Sequence, residues 1–308
     1  MASVVRRLEN VTSIPNGNTG KDDAGTGEEE TWRLPRLDEV DAEPSVPAHI
    51  DTSIPHTARI YDYFLGGKNN FAVDRAAAEH ILLSIPDLPT TLRLNRLLLQ
   101  RSVRYAARRG IRQFLDIGTG IPTAGNTHEA AHEIAPEARI AYVDNDPIVL
   151  VHGRALMTDS GPGHITFTQA DLRAPDDILT SPEVLKVIDF TEPVAVMLVA
   201  ILHFIKDEEN PAAIVAKLRD AIPSGSMLIL SHASYDTDPG AGRAGADGWK
   251  KASAEMSMRT YDEILAFFDG FDIVEPGLRT PWNPDGEPDH ELDTLERVWG
   301  YGGVGVKP

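Results

Sequence analysis

A chain of 308 residues in which 47 Asp and Glu outnumber 29 Lys and Arg carries a formal net charge of −18, which repels phosphate backbones and anionic lipid; neither nucleic acid nor a membrane is expected as a partner. There is no cysteine, so disulfide frameworks, thiol nucleophiles and thiolate metal sites are excluded, in keeping with a reducing compartment. Arg6 and Arg7 are followed by no apolar run, and no stretch approaches the roughly 18 apolar residues needed to span a bilayer, so the cytoplasm is the expected location.

Residues 1–50 mix Gly, Asp, Glu, Asn and Pro around Gly25-Thr26-Gly27-Glu28-Glu29-Glu30 without apolar periodicity, and read as a disordered or loosely attached tail. From Asp51 the character changes, and Pro55 to Phe71 packs aromatics, Gly66, Gly67 and polar residues into a short span. Ala72 to His80 and Leu92 to Arg109 follow with helical spacing, and Gly110 closes the second helix. Residues 51–110 are therefore expected to form a helical N-terminal subdomain. The arginines from Arg93 to Arg112 read as the solvated face of its long helix rather than a phosphate-binding patch.

From 111 to 308 apolar strand-like runs alternate with helical stretches, the pattern of parallel βαβ units. The expected strands are Gln113 to Ile117, Arg139 to Asp144, His164 to Ala170, Val194 to Leu202 and Met227 to Ser231. The last two are the most continuously apolar and belong centrally. Pro211 to Arg219 reads as a helix, and Thr260-Tyr261-Asp262-Glu263 as a capping box opening another that runs through Phe268 to Gly270. Phe271 to Glu275 and Arg297 to Val306, with no helix between them, suggest an antiparallel hairpin at one edge.

The chemistry lies at the ends of the first three strands. Phe114-Leu115-Asp116-Ile117-Gly118-Thr119-Gly120 reads as strand, then glycine turn. A dinucleotide site would prefer a third glycine where Thr123 stands, and Asp116 adds negative charge where a diphosphate would lie. A phosphate-free nucleoside with an ammonium and a sulfonium suits that carboxylate, and S-adenosylmethionine has those features. Gly118, Thr119 and Gly120 would let it lie against the backbone. At the second strand end Asp144 can accept both ribose hydroxyls, with Asn145 on the adenine side. At the third, Asp171 offers a carboxylate to the adenine amino group and Leu172 an apolar lid. Each acid alone could equally be a turn residue or helix cap; in order and at βαβ spacing they read as one ligand track.

These runs, together with Tyr142-Val143-Asp144-Asn145-Asp146-Pro147, Gln169-Ala170-Asp171-Leu172, Leu202-His203-Phe204 and Tyr301-Gly302-Gly303, resemble the actinobacterial S-adenosylmethionine-dependent methyltransferase family formerly catalogued as a domain of unknown function. The similarity covers about residues 50 to 308. Its most specific piece is Tyr61-Asp62-Tyr63-Phe64-Leu65-Gly66-Gly67-Lys68-Asn69-Asn70. The resemblance implies an α/β, Rossmann-like class I methyltransferase fold: a mostly parallel seven-stranded sheet with an antiparallel last strand, beside the helical subdomain. Where such enzymes usually start a helix after the glycine turn, this chain has Ile121 to Asn126, so the helix is expected to begin later, capped by Asn126 with Glu129.

Two readings apply to Arg59 to Asn70. In one, a tight turn at Gly66 and Gly67 folds Tyr63, Lys68, Asn69 and Asn70 over the cofactor as a lid; in the other, the segment docks the helical subdomain onto the sheet. Asp236 to Gly248 reads as a second cover or a plain surface loop. His203 and His232 follow the fourth and fifth strands, and each could serve as a general base or be a satisfied structural histidine; His203 is the candidate catalytic residue. No metal spacing is present. The expected activity is methyl transfer to a small molecule, with a cofactor-binding protein lacking transferase activity as the alternative and a nicotinamide oxidoreductase as a third, disfavoured by Thr123 and Asp116.

Overall fold

The structure, a computed structural model, describes residues 51–122, 125–157, 165–234, 236, 240, 249–250, 255–280, 282–284 and 300–308, with only the backbone of 154–157. The tail over 1–50, Thr123, all of Asp236 to Gly248 except residues 236 and 240, and the expected strand start at Arg297 lie outside them.

Three helices come first: α1 (Thr57–Phe64), α2 (Ala72–Leu82) and α3 (Leu88–Arg108). The turn joining α1 to α2 is organised by Asp62, whose Oδ2 accepts from the Asn69 N–H at 2.9 Å and from Asn70 Nδ2 at 2.8 Å. The Gly67 N–H closes the turn on the Asp62 carbonyl at 2.8 Å. Burial pushes the Asp62 carboxyl up to about 6, against the pull of the two Asn donors. A Cβ on Gly67 would stand 2.0 Å from Asp62 Oδ1. Gly67→Ala is therefore expected to destabilise the fold by about 1–3 kcal/mol through overpacking. Urea unfolding checks this, and a loss of less than about 0.5 kcal/mol, typical of neutral surface sites, would contradict it.

The α/β region then runs β1 (Gln113–Ile117), α4 (Thr127–His132), β2 (Arg139–Asp144), α5 (Pro147–Met157), β3 (Ile165–Gln169), α6 (Pro175–Leu179), α7 (Pro182–Leu185), β4 (Ala195–Val199), α8 (Pro211–Ala221), β5 (Met227–Ala233), α9 (Tyr261–Leu265), β6 (Asp272–Ile273) and β7 (Gly300–Val306). The seven strands order β3-β2-β1-β4-β5-β7-β6. β1 to β5 are mutually parallel, and β7 runs antiparallel between β5 and β6. The expected edge hairpin and the central position of β4 are both present. One face buries Leu115, Val143, Leu198 and Leu230 under α8 and the segment around Phe267. The other buries Phe114, Ile140, Met197 and Ile229 under α3 and α4. Because α3 gives Leu98, Leu99, Val103, Ala106 and Ala107 to that second layer, the break expected near residue 110 falls inside continuous packing.

Local chemistry explains where elements stop. The Glu129 carboxylate accepts from the Gly125 and Asn126 N–H groups, so α4 begins late, as the sequence suggests. Thr260 and Glu263 form the reciprocal capping box at 2.8 and 3.3 Å. β4 was expected to reach Leu202 but ends at Val199, because Ala200 turns into the left-handed region (φ 56°) with its N–H on Ser231 Oγ at 3.0 Å. β5 runs two residues beyond expectation, through Ala233, because β7 pairs with it as far as Gly300.

Candidate functional site

The strand order reverses between β1 and β4, which opens a crevice at the carboxyl ends of those strands. Gly118 (φ 76°) and Gly120 (φ 68°) take the chain out of β1 in a conformation that L side chains rarely adopt. The Gly118 N–H holds the Val143 carbonyl at 2.8 Å, and a Cβ at Gly118 would lie 2.6 Å from Ile201 Cγ1. At Gly120 a Cβ would meet nothing within 4 Å, so that face of the loop is open.

The three strand-end acids differ in environment. Asp116 is buried, and its Oδ2 accepts from Thr127 Oγ1 at 2.6 Å. Burial pushes its carboxyl up to about 6, opposed by Thr127 and the nearby Arg96 charge. Asp144 accepts from the Gly120 N–H at 2.8 Å and from the Asp146 N–H at 2.9 Å, and burial raises it too against those bonds. Asp171 is half-exposed; burial alone would raise it, but the Arg173 N–H and guanidinium outweigh that and hold it below the usual carboxylate range. Asn145 Nδ2 reaches Asp171 at 3.4 Å, linking the second and third strand ends.

Two cavities meet here. One is walled by Asp116, Gly118, Thr119, Gly120, Asp144, Asn145 and His203, and extends under α3. The other is walled by Gly118, Asp144, Asn145, Asp171 and Leu172. They share Gly118, Asp144 and Asn145, with His56, Thr57, Ile201 and Phe204, so the three carboxylates face one continuous cleft.

Tyr63, Gly66, Gly67 and Asn69 do not line either cavity. This corrects the lid reading. Tyr63 is buried in the core of α1 and α2 with its hydroxyl 3.4 Å from Glu79, the Gly66 N–H closes on the Tyr63 carbonyl, and Gly67 and Asn69 fold onto Asp62, so these four residues act through packing. The wall is built instead by the preceding turn and helix, through His56, Thr57, Ala58 and Tyr61.

The histidines are also recast. His232 accepts from Arg259 Nη1 at 2.8 Å on Nε2, which places its proton on Nδ1, 2.7 Å from the Ala233 carbonyl. Burial drives it down to about 3, with the Ala233 carbonyl opposing and Arg259 assisting, so it is a satisfied neutral side chain. In His203, Nδ1 accepts from the Ala233 N–H at 3.3 Å, which leaves the proton on Nε2. Burial, His232 and Arg259 hold its basicity well below the ordinary range. His203 thus presents the cleft with a hydrogen-bond donor, and the general-base reading is corrected for want of a free lone pair.

Arg259 escaped the sequence reading. It is buried and donates to the carbonyls of Leu202 and Ile205 and to Asp207 at 2.6–3.1 Å, fixing the turn after β4. No motif marks it. Asn95, also missed, did leave a signal: it interrupts the apolar face of α3 in register with Leu88, Leu92 and Leu99. Among the described residues no group of His, Asp and Glu is arranged to hold a metal, and no helix is long and apolar enough to cross a membrane.

A Rossmann-like sheet with a reversed strand next to its edge and a cleft at its switch point defines a class I methyltransferase fold. The sequence profile of the S-adenosyl methyltransferase family matches residues 43–308, and the chain belongs to that family. Its cofactor is S-adenosylmethionine. The chain is similar to a DUF574 family protein from Streptomyces avermitilis, with 40% identity over 84% of this chain and 99% of that one, at a TM-score of 0.79. It is similar as well to a candidate methyltransferase from Thermobifida fusca, with 41% identity over 83% of this chain and 96% of that one, at a TM-score of 0.78. No curated protein matches the sequence.

The cleft fits that cofactor on its own chemistry. The open face at Gly120 admits a ligand against the backbone, and the acids along the cleft suit a cation without phosphates.

Proposed function

We propose that the protein transfers a methyl group from S-adenosylmethionine to a small molecule held between α3 and the carboxyl ends of β4 and β5. S-adenosylmethionine supplies that methyl on a positively charged sulfur. In this reading Asp144 receives the ribose hydroxyls, Asn145, Asp171 and Leu172 receive the adenine, and Asp116 with Gly118, Thr119 and Gly120 receives the amino-acid end. The observation that carries it is the single cleft shared by three strand-end carboxylates. Its continuation under α3 favours transfer over binding alone, because it leaves room for a second molecule.

In His203 and His232 the ring lone pair already accepts an N–H from Ala233 and Arg259, so neither is assigned as base. His203 is read as a donor that orients the acceptor. The purified protein incubated with tritiated S-adenosylmethionine and a fractionated small-molecule extract should release S-adenosylhomocysteine and label one extract component. Cofactor binding with no labelled product from any fraction would favour the binding-only alternative.

Asp116 also makes the reading pH-dependent. Its carboxyl is raised to about 6 by burial, so the ionised form dominates above that value and a proton competes with the cationic ligand below it. Affinity for S-adenosylmethionine is expected to fall by up to about tenfold per unit below pH 6. Affinity for adenosine, which lacks the ammonium and sulfonium, should change much less. Equal pH profiles for the two in calorimetry would remove Asp116 from the cation site.

A further inference from the structure

Beyond the glycine loop the cleft widens into a chamber whose walls include Ile85, Leu88, Leu92, Trp249, Met256 and Met258. Three of its polar side chains, Ser231, Asn95 and Tyr61, are bonded in a chain. Ser231 Oγ donates to Asn95 Oδ1 at 2.6 Å and accepts from the Ala200 N–H at 3.0 Å; Asn95 Nδ2 donates to the Tyr61 hydroxyl at 3.0 Å, which donates to the Leu92 carbonyl at 3.5 Å. Tyr301 is engaged as well, with Asp236.

The charged side chains at the heart of the cavity wall are Asp116 and Asp144 at the strand ends and Arg96 on α3. Asp144 is tied to the Gly120 and Asp146 N–H groups, and Asp116 to Thr127. Arg96 donates to the Gly125 carbonyl at 3.0 Å and sets its charge against Asp116. Among the described residues no Lys or Glu lines this cavity. Because the Arg96 charge is already set against Asp116, an anion placed among the apolar walls would lose its hydration for little counter-charge, whereas an apolar body would be buried against aliphatic, Met and Trp side chains. His203 adds a further polar group to the wall: with Nδ1 occupied by the Ala233 N–H, Nε2–H is the ring's remaining donor.

We propose that the acceptor is an uncharged molecule with an apolar, ring-sized body, bearing a lone-pair atom that takes the hydrogen bond of His203 Nε2. This rests on the methyl-transfer reading of the same cleft.

The test uses two probes with the same ring system, neutral 2-naphthol and anionic 2-naphthalenesulfonate, titrated by fluorescence into the full chain loaded with S-adenosylhomocysteine. Loading is verified first by calorimetry. Naphthol should bind, with the sulfonate weaker by at least about tenfold. Met258→Glu, at a half-buried loop position, should weaken naphthol by a similar factor while leaving S-adenosylhomocysteine affinity unchanged. Leu92→Phe, which fills the chamber without adding charge, is the second variant and should also weaken naphthol. Equal binding of the two probes, no naphthol binding to the loaded protein, or wild-type naphthol affinity in both variants would overturn the proposal. Failure of S-adenosylhomocysteine itself to bind would instead overturn the cofactor reading beneath it, and the proposal with it.

Discussion

Replacing Asp144 with Ala is expected to weaken S-adenosylmethionine binding by about 100-fold or more, equivalent to about 2.7 kcal/mol. The reason is that this carboxylate stands in two structures at once. It lines both cavities, and it accepts the N–H groups of Gly120 and Asp146 at 2.8 and 2.9 Å. The Ala variant removes the proposed ribose partner and orphans two N–H groups, each worth about 1–3 kcal/mol when buried without a partner. The glycine loop then keeps the Gly118 bond to the Val143 carbonyl but loses its side-chain tie to β2. Asp144→Asn separates the two effects, since its amide oxygen can keep one of those bonds while presenting an NH2 at the other. Affinity should rank wild type, Asn, then Ala in isothermal titration calorimetry. An Ala variant within about threefold of wild type would contradict the ribose assignment.

Gly118→Ala is expected to cost about 2–5 kcal/mol of stability, the sum of two penalties. Holding a residue with a Cβ at φ 76° costs about 1–2 kcal/mol. Forcing that Cβ to 2.6 Å from Ile201 costs about 1–3 kcal/mol more, because the turn after β4 is pinned by Arg259 and cannot retreat freely. Thermal unfolding should fall by roughly 5–15 °C for a domain of this size. The double variant with Ile201→Ala should recover the steric part and none of the backbone part. A single variant within 2 °C of wild type, roughly the shift of one kcal/mol or less, would show that the loop tolerates the side chain.

The strands were legible because parallel strands buried on both faces read as short apolar runs, and β1 and β2 begin and end where those runs do. Position in the sheet followed as well, since β4, the most apolar run, is the centre of seven strands. What the pattern could not show was termination by tertiary contacts: β4 stops at a left-handed Ala200 whose N–H is satisfied by Ser231, 31 residues away in sequence.

Asp116, Asp144 and Asp171 stood out in the sequence because each lies at or just past the end of an apolar strand, and the fold places all three in the walls of the two adjoining cavities. The Tyr61 to Asn70 motif was legible as unusual but misread in role. Its density reflects a buried Asp62 that must be surrounded by donors and by a glycine with no Cβ, a packing constraint that looks in sequence much like a ligand loop. The roles of His203 and His232 depended on tautomers set by Ala233 and Arg259, and tautomers leave no trace in a sequence.

A crystal structure of the full chain with S-adenosylhomocysteine tests the central claim most directly. The nucleoside should lie across the ends of β1, β2 and β3 with its ribose hydroxyls within hydrogen-bond reach of Asp144 and its adenine beside Asp171 and Leu172. A nucleoside bound elsewhere, or bound in this cleft with Asp144 turned away from every ligand atom, would contradict the account.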